Sequence, residues 1–261
     1  MSVLKRDFLP GELAAECKAN GIAATVAVQT DQSEEETLFL LELAKDSPQI
    51  VGVVGWVDLA SARIDERLQF FSQHKRICGF RHIAQAEPDD HFLMQTNFVR
   101  GISRLREFGF TYDILIYPKQ LPAAIELVSK LPDQRFVVDH IAKPEIKTKY
   151  SEFWKKHIRN IAENPNVYCK LSGLVTEADW KNWKPEDFTP YLDVVLDAFG
   201  PDRLMFGSDW PVCLLAANFG QVKQIVEDYV RGFTVEQKEN IFGGNAIRFY
   251  GLKDFANGLA A

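Results

Sequence analysis

The sequence has no C-x-x-C pair, no G-x-G-x-x-G turn and no apolar run near the length that spans a bilayer. Each absence excludes something. The cysteines, Cys17, Cys78, Cys169 and Cys213, are scattered; they read as free, mostly buried thiols in a reducing cytoplasm, which is the expected location. A membrane helix needs roughly 20 apolar residues, and the opening Met1-Ser2-Val3-Leu4-Lys5-Arg6-Asp7 lacks the apolar core of a signal peptide, so no membrane partner is expected. Charges of both signs are spread along the chain, with a formal net charge of −6 and no basic stripe. That pattern argues against nucleic acid as a partner. Where a doubly wound fold carries its glycine-rich phosphate turn, this chain has Gln29-Thr30-Asp31-Gln32.

What is present is ordinary in bulk and regular in pattern. The 261 residues are 46% hydrophobic and 25% charged, which suits a single α/β domain over residues 1–261 with no linker and no low-complexity segment. Short apolar runs rich in β-branched and aromatic residues predict strands at Ile22 to Thr30, Ile50 to Leu59, Ile77 to His82, Tyr112 to Tyr117, Arg135 to His140, Val167 to Ser172 and Leu204 to Gly207. Helical periods lie between them. Ser33-Glu34-Glu35-Glu36 reads as a capping box before Leu38, Leu40, Leu41 and Leu43. Further helices are predicted over Phe92 to Phe108 with Gly109 just past the end, Leu121 to Leu131, Phe153 to Ala162, Tyr191 to Phe199 and Val222 to Val230. A last short helix opens at Thr234 to Gln237 and ends near Gly243-Gly244. Steady alternation favours a TIM-type (β/α)8 barrel over an open sheet. The first readable element, however, is a helix, Glu12 to Ala19, whereas a barrel unit begins with a strand. The first strand of the barrel is therefore expected to be missing.

In a parallel barrel the C-terminal strand ends form the floor of the active site. Two strand ends carry chemistry that activates water: Phe206-Gly207-Ser208-Asp209-Trp210-Pro211 and Val138-Asp139-His140, followed by Lys143-Pro144. Asp209 shares parity with Met205 and Gly207, so its carboxylate is expected in the mouth as a proton acceptor or metal ligand, with loop capping as the bland alternative. His140 shares parity with Val138 and is expected to face the same mouth; Asp139, on the other parity, is expected to hold a loop or helix end. Lys170, a charge inside an apolar strand, either binds the substrate or pairs with a buried aspartate such as Asp113 or Asp58. Arg81 and His82 end another strand and suit an anionic or polyhydroxylated ligand. Gln29, Trp56 and Trp210 are candidates for lining the pocket, with core packing nearly as good an account of Trp56. His74, His91 and His157 sit among charges in helical stretches and read as surface residues.

Phe8-Leu9-Pro10, Val26-Ala27-Val28-Gln29, Val54-Gly55-Trp56-Val57-Asp58-Leu59, Gly79-Phe80-Arg81-His82, Val138-Asp139-His140 with Lys143-Pro144, Cys169-Lys170-Leu171-Ser172-Gly173 and Phe206 to Pro211 together resemble the amidohydrolase-related lactonases. These are TIM-barrel hydrolases of sugar lactones related to 2-pyrone-4,6-dicarboxylate lactonase. The likeness runs from about Leu4 to Leu252, nearly the whole chain. It implies a small lactone as substrate, Asp209 as the base that activates water and His140 in support. It also implies a scaffold able to hold one divalent metal such as zinc. The family's H-x-H pair on the first strand is absent: the histidines are His74, His82, His91, His140 and His157. Catalytic zinc usually takes three protein ligands, so bound metal is left open. The absence fits the missing strand and suggests a fragment, a mis-started reading or a shortened homologue. A second reading is a catalytically impaired barrel that binds small polar ligands without turnover. A decarboxylase of the same superfamily fits less well. Self-association into a homo-oligomer is left open.

Overall fold

The computed structural model describes residues 2–148 and 151–252. Helices and strands alternate: α1 (Pro10–Ala19), β1 (Thr25–Val28), α2 (Glu34–Lys45), β2 (Ile50–Gly55), α3 (Ile64–Phe71), β3 (Ile77–His82), α4 (Thr96–Leu105), β4 (Thr111–Ile114), α5 (Leu121–Lys130), β5 (Phe136–Val138) and α6 (Glu152–Ala162). Then come β6 (Val167–Leu171), α7 (Leu174–Glu177), α8 (Thr189–Phe199), β7 (Leu204–Phe206), α9 (Phe219–Tyr229), α10 (Val235–Glu239) and α11 (Asn245–Tyr250). All seven strands lie parallel in one sheet, each beside its neighbour in sequence, in the order β1 to β7. This is the strand order of a TIM-type barrel counted one strand short. Among the described residues β1 and β7 each pair on one side only.

Side-chain alternation sorts each strand between two layers. Val53, Phe80, Tyr112, Phe136, Val138, Val167, Cys169, Leu171 and Leu204 join the large cluster beneath the helices. Val54, Cys78, Val137 and Met205 face the interior, where they meet Phe249 and Tyr250 of α11, with Val26, Val28, Tyr168 and Leu252 against them. The last helix thus fills the inside of the curled sheet. All four residues of β1 are only half-buried, whereas Val54 and Val137 are wholly buried. That difference marks β1 as one side of the opening.

Charges cross the interior as well. Lys170 Nζ on β6 lies 2.5 Å from Asp113 Oδ2 on β4 and 2.7 Å from Asp139 Oδ1 after β5. Arg81 Nη1 on β3 reaches Asp139 Oδ2 at 2.9 Å, and the Tyr250 hydroxyl donates to Asp113 Oδ2 at 2.8 Å. β4 and β6 are separated by a whole strand, about 10 Å in a flat sheet, so these contacts require the sheet to curl. Two cations face two carboxylates, which neutralises the buried set. Burial pushes the Asp113 carboxyl up against the pull of Lys170. Burial works the same way on Asp139, but Lys170 and Arg81 overcome it and hold that carboxyl below its usual range.

Local signals explain most boundaries, and several differ from expectation: the single helix expected over Phe92 to Phe108 is a 3-10 turn, Phe92–Met94, then α4, then a second 3-10 turn, Arg106–Phe108. Ser33 caps α2 by accepting the Glu36 N–H at 3.2 Å. Glu36, expected to reach back to Ser33, instead receives the N–H groups of Thr30 and Asp31 at 3.0 and 2.6 Å, which ties the helix to the end of β1. The chain does not stop at Gly243-Gly244: a π turn, Asn240–Gly244, carries it into α11, which ends at Gly251 with φ +72°. Gly55 lets α2 press on the end of β2, since a Cβ there would lie 2.4 Å from Thr37 Cγ2. Thr37 Oγ1 accepts the Trp56 N–H and donates to the Trp56 carbonyl.

Candidate active site

Past the ends of β5, β6 and β7, three side chains converge. His140 Nε2 lies 3.7 Å from Asp209 Oδ1, with both side chains largely buried, at 11% and 15% exposed. His140 Nδ1 is 2.8 Å from Ser172 Oγ. Asp209 has φ +54°, outside the usual range of a residue with a side chain. Trp210-Pro211 follows in cis, and a short 3-10 turn, Val212–Leu215, comes next. Among the described residues no backbone N–H is donated to the Asp209 carboxylate, so it is not spent on capping that turn. It remains available to accept a proton.

His140 reaches this place by an unusual backbone. His140, Ile141, Ala142 and Lys143 have φ of 54°, 47°, 58° and 48°, one turn of left-handed helix without a glycine. Each such residue costs roughly 1–2 kcal/mol. The turn also aims Lys143, whose Nζ lies 4.0 Å from Glu177 Oε1 and 5.6 Å from the centre of the Tyr117 ring. Gly173 makes room: at φ +65°, a Cβ on it would sit 2.6 Å from His140 Cβ and 2.9 Å from its Nδ1.

Electrostatics follow from the enclosure. Burial pushes the His140 imidazole below its ordinary value, and Asp209 and Asp139 only partly offset this. Enclosure thus favours the neutral ring, with one nitrogen carrying the proton and the other accepting. Burial raises the Glu177 carboxyl; Lys143 opposes that and Asp209 adds to it.

The other expected site residues are placed differently. Arg81 does not point into the mouth: it is buried against Asp139, and its second Nη donates to the Gln29 carbonyl. Gln29, wholly buried, donates from Nε2 to the Arg81 carbonyl at 2.9 Å. Lys170 is committed to Asp113 and Asp139, the ion-pair alternative. The parity that would give Asp139 to a loop or helix end does not hold. In fact Phe136 and Val138 belong to the helix layer, so Asp139 faces the interior. His140 shares parity with Val138 but reaches the mouth only through its positive φ. His82 Nδ1 accepts from Trp56 Nε1 at 3.3 Å. Because an indole only donates, the His82 proton is on Nε2, which meets Glu87 Oε1 at 2.7 Å. His82 also stacks on Phe92 at 4.7 Å, so both its nitrogens are occupied and Trp56 is bound up with it. Trp210 is half-buried, edge-on to Phe8 at 5.4 Å. His91 is exposed, and His74 and His157 are half-buried; neither His74 nor His91 lies in a helix.

Sequence reading gave no role to Ser172, Glu177 or Tyr250. Only Ser172 carried a signal, a hydroxyl at a strand end followed by glycine. As for metal, His140 and Asp209 offer one nitrogen and one carboxylate, and His82 is engaged elsewhere. Among the described residues no three His, Cys, Asp or Glu side chains are grouped to hold an ion. The described residues do not form a three-ligand zinc set.

Comparison with known proteins adds an independent line. The chain is 40% identical over 272 residues to an L-fucono-1,5-lactonase of Burkholderia multivorans, covering 98% of this chain and 90% of the relative. It is 34% identical over 256 residues to an L-fucono-1,5-lactonase of Burkholderia ambifaria, covering 96% and 87%. A crystal structure of an amidohydrolase from Burkholderia multivorans with bound zinc superposes with a TM-score of 0.92 at 39% identity, over 96% of this chain and 91% of that one. The amidohydrolase family profile matches residues 2–252, and with this fold and these relatives the chain belongs to the amidohydrolase family.

Proposed function

We propose that this protein hydrolyses a sugar-derived lactone, with Asp209 as the general base that activates water and His140 as its partner. One observation carries the reading: a carboxylate not engaged in capping faces an imidazole nitrogen across 3.7 Å at the C-terminal end of the sheet. Opening a lactone requires a water deprotonated as it attacks and a carbonyl oxygen stabilised as it gains charge. Asp209 accepts the proton. With Ser172 donating its hydroxyl proton to Nδ1, His140 carries its own proton on Nε2, aimed at the space where water and the lactone carbonyl meet. The proton held by Asp209 then passes to the ring oxygen as the C–O bond breaks, which gives the hydroxy acid. Lys143 and Glu177 supply polar groups beside this space, suited to sugar hydroxyls, and Trp210 offers an aromatic face. The chain is then one barrel domain. The four cysteines, all free and buried, fit a cytoplasmic setting, and among the described residues no helix is long and apolar enough to cross a membrane.

The test is hydrolysis of a panel of aldono-1,4- and 1,5-lactones, L-fucono-1,5-lactone among them, with and without zinc, manganese or chelator. Asp209→Asn keeps the shape but removes the proton acceptor, and kcat should fall about 10²–10⁴-fold with the fold intact. Equal rates for the two proteins would show that Asp209 is not the base. If lactones bind but none is turned over, the protein is a binding barrel and the hydrolase reading fails.

A further inference from the structure

The left-handed turn that aims His140 needs an explanation, because a relaxed backbone would place the ring elsewhere. In such a turn the carbonyls point away from the partners that a helix or sheet supplies. Ile141 is wholly buried, so its carbonyl has no water to turn to, and a buried polar group left alone is strongly disfavoured. Its partner is Trp154. The indole Nε1 donates to the Ile141 carbonyl at 2.8 Å from a side chain that is itself wholly buried on α6. Tyr191 packs edge-on against that ring at 5.3 Å and fixes its plane. Within the turn, Lys143 N donates to the His140 carbonyl at 2.8 Å, closing it on itself. The Trp154 bond ties this turn to α6, one residue from His140.

We propose that Trp154 is a positioning residue: its indole N–H holds the left-handed turn and thereby keeps His140 between Ser172 and Asp209. Trp154 touches neither substrate nor water and acts through Ile141. The inference rests on the reading of His140 as part of the hydrolytic site, and its test separates the two. Two replacements at position 154 are compared with wild type. Trp154→Phe removes the donor and some volume. Site-specific benzothienylalanine, with sulfur in place of the indole N–H, removes the donor while nearly keeping the shape, so it serves if the phenylalanine variant folds poorly. Two readouts are taken: kcat and KM for the lactone hydrolysed fastest, and the 15N shifts of the His140 ring, assigned by their loss in His140→Asn. A displacement of about 1 Å at a catalytic group lowers kcat on the order of 10²-fold, so the sulfur analogue should lower kcat about 10–100-fold while KM changes less than about threefold. Its His140 15N shifts should move away from those of wild type. Unchanged kcat together with unchanged His140 shifts would overturn the proposal and leave Trp154 as core packing. If wild type hydrolyses no lactone, the function fails and the NMR comparison alone decides the positioning role: moved shifts support it and identical shifts refute it.

Discussion

At the scale of single residues, the proposed chemistry uses the neutral form of His140. Its imidazole is pushed below the ordinary value of 6.5 chiefly by burial. Between 6.5 and the depressed folded value, the unfolded chain takes up a proton that the folded protein refuses. Stability therefore rises with pH through that window and is lost as pH falls through it. The urea midpoint of wild type should drop from pH 7.5 to pH 5.0, and His140→Asn should drop by less over the same range. Equal slopes would place the titrating group elsewhere. Asp209 and His140 were legible in the sequence because each stands where an apolar strand ends. Ser172 was not, since a serine at a strand end is common, and its bond to His140 depends on the turn at residues 140–143. Little in the letters His-Ile-Ala-Lys announces a left-handed backbone: histidine is enriched there, but Ile, Ala and Lys are not.

At the scale of elements, β3, β4, β5 and β6 are tied together by charge rather than by packing alone. Lys170→Met would leave Asp113 and Asp139 facing each other without the cation between them. Breaking a buried pair of this kind costs about 3–5 kcal/mol. The expected outcome in urea unfolding is a large loss of stability, with much of it regained in Lys170→Met combined with Asp113→Asn. In whatever fraction stays folded, KM should change little, because Lys170 lies among carboxylates rather than at the mouth; a large rise in KM with stability preserved would reverse that placement. The seven strands were readable because strands covered on both faces are continuously apolar. The network was readable only in part: Asp113 stood among the candidate partners of Lys170, but parity assigned Asp139 to the wrong layer, and nothing in the sequence tied Arg81 to it. α11 was missed because Gly243-Gly244 looks like a stop, and the π turn that carries the chain through it has no sequence mark.

At the scale of the whole molecule, the curled sheet and α11 complete each other. Phe249 and Tyr250 lie among Val54, Cys78, Val137 and Met205, the Arg135 guanidinium donates to the Phe249 carbonyl, and the Tyr250 hydroxyl donates to Asp113. Among the described residues Asp113 Oδ1 has no hydrogen-bond partner, so Oδ2 carries the hydrogen bonds of that carboxylate. Tyr250→Phe should lower stability by about 1.5–3 kcal/mol, the usual loss for a hydrogen bond to a charged group, read as a shift in urea midpoint with kcat/KM nearly unchanged. No shift would mean that Lys170 alone satisfies Asp113. The same arrangement bears on how the protein is born. A chain leaving the ribosome presents β1 to β7, residues 25–206, well before residues 245–252 emerge. Until then the interior of the nascent sheet is unfilled and Asp113 lacks one of its partners. The sheet can assemble during translation, but it locks only when the plug arrives, so a ribosome stalled between those points should carry a loosely packed, protease-sensitive chain.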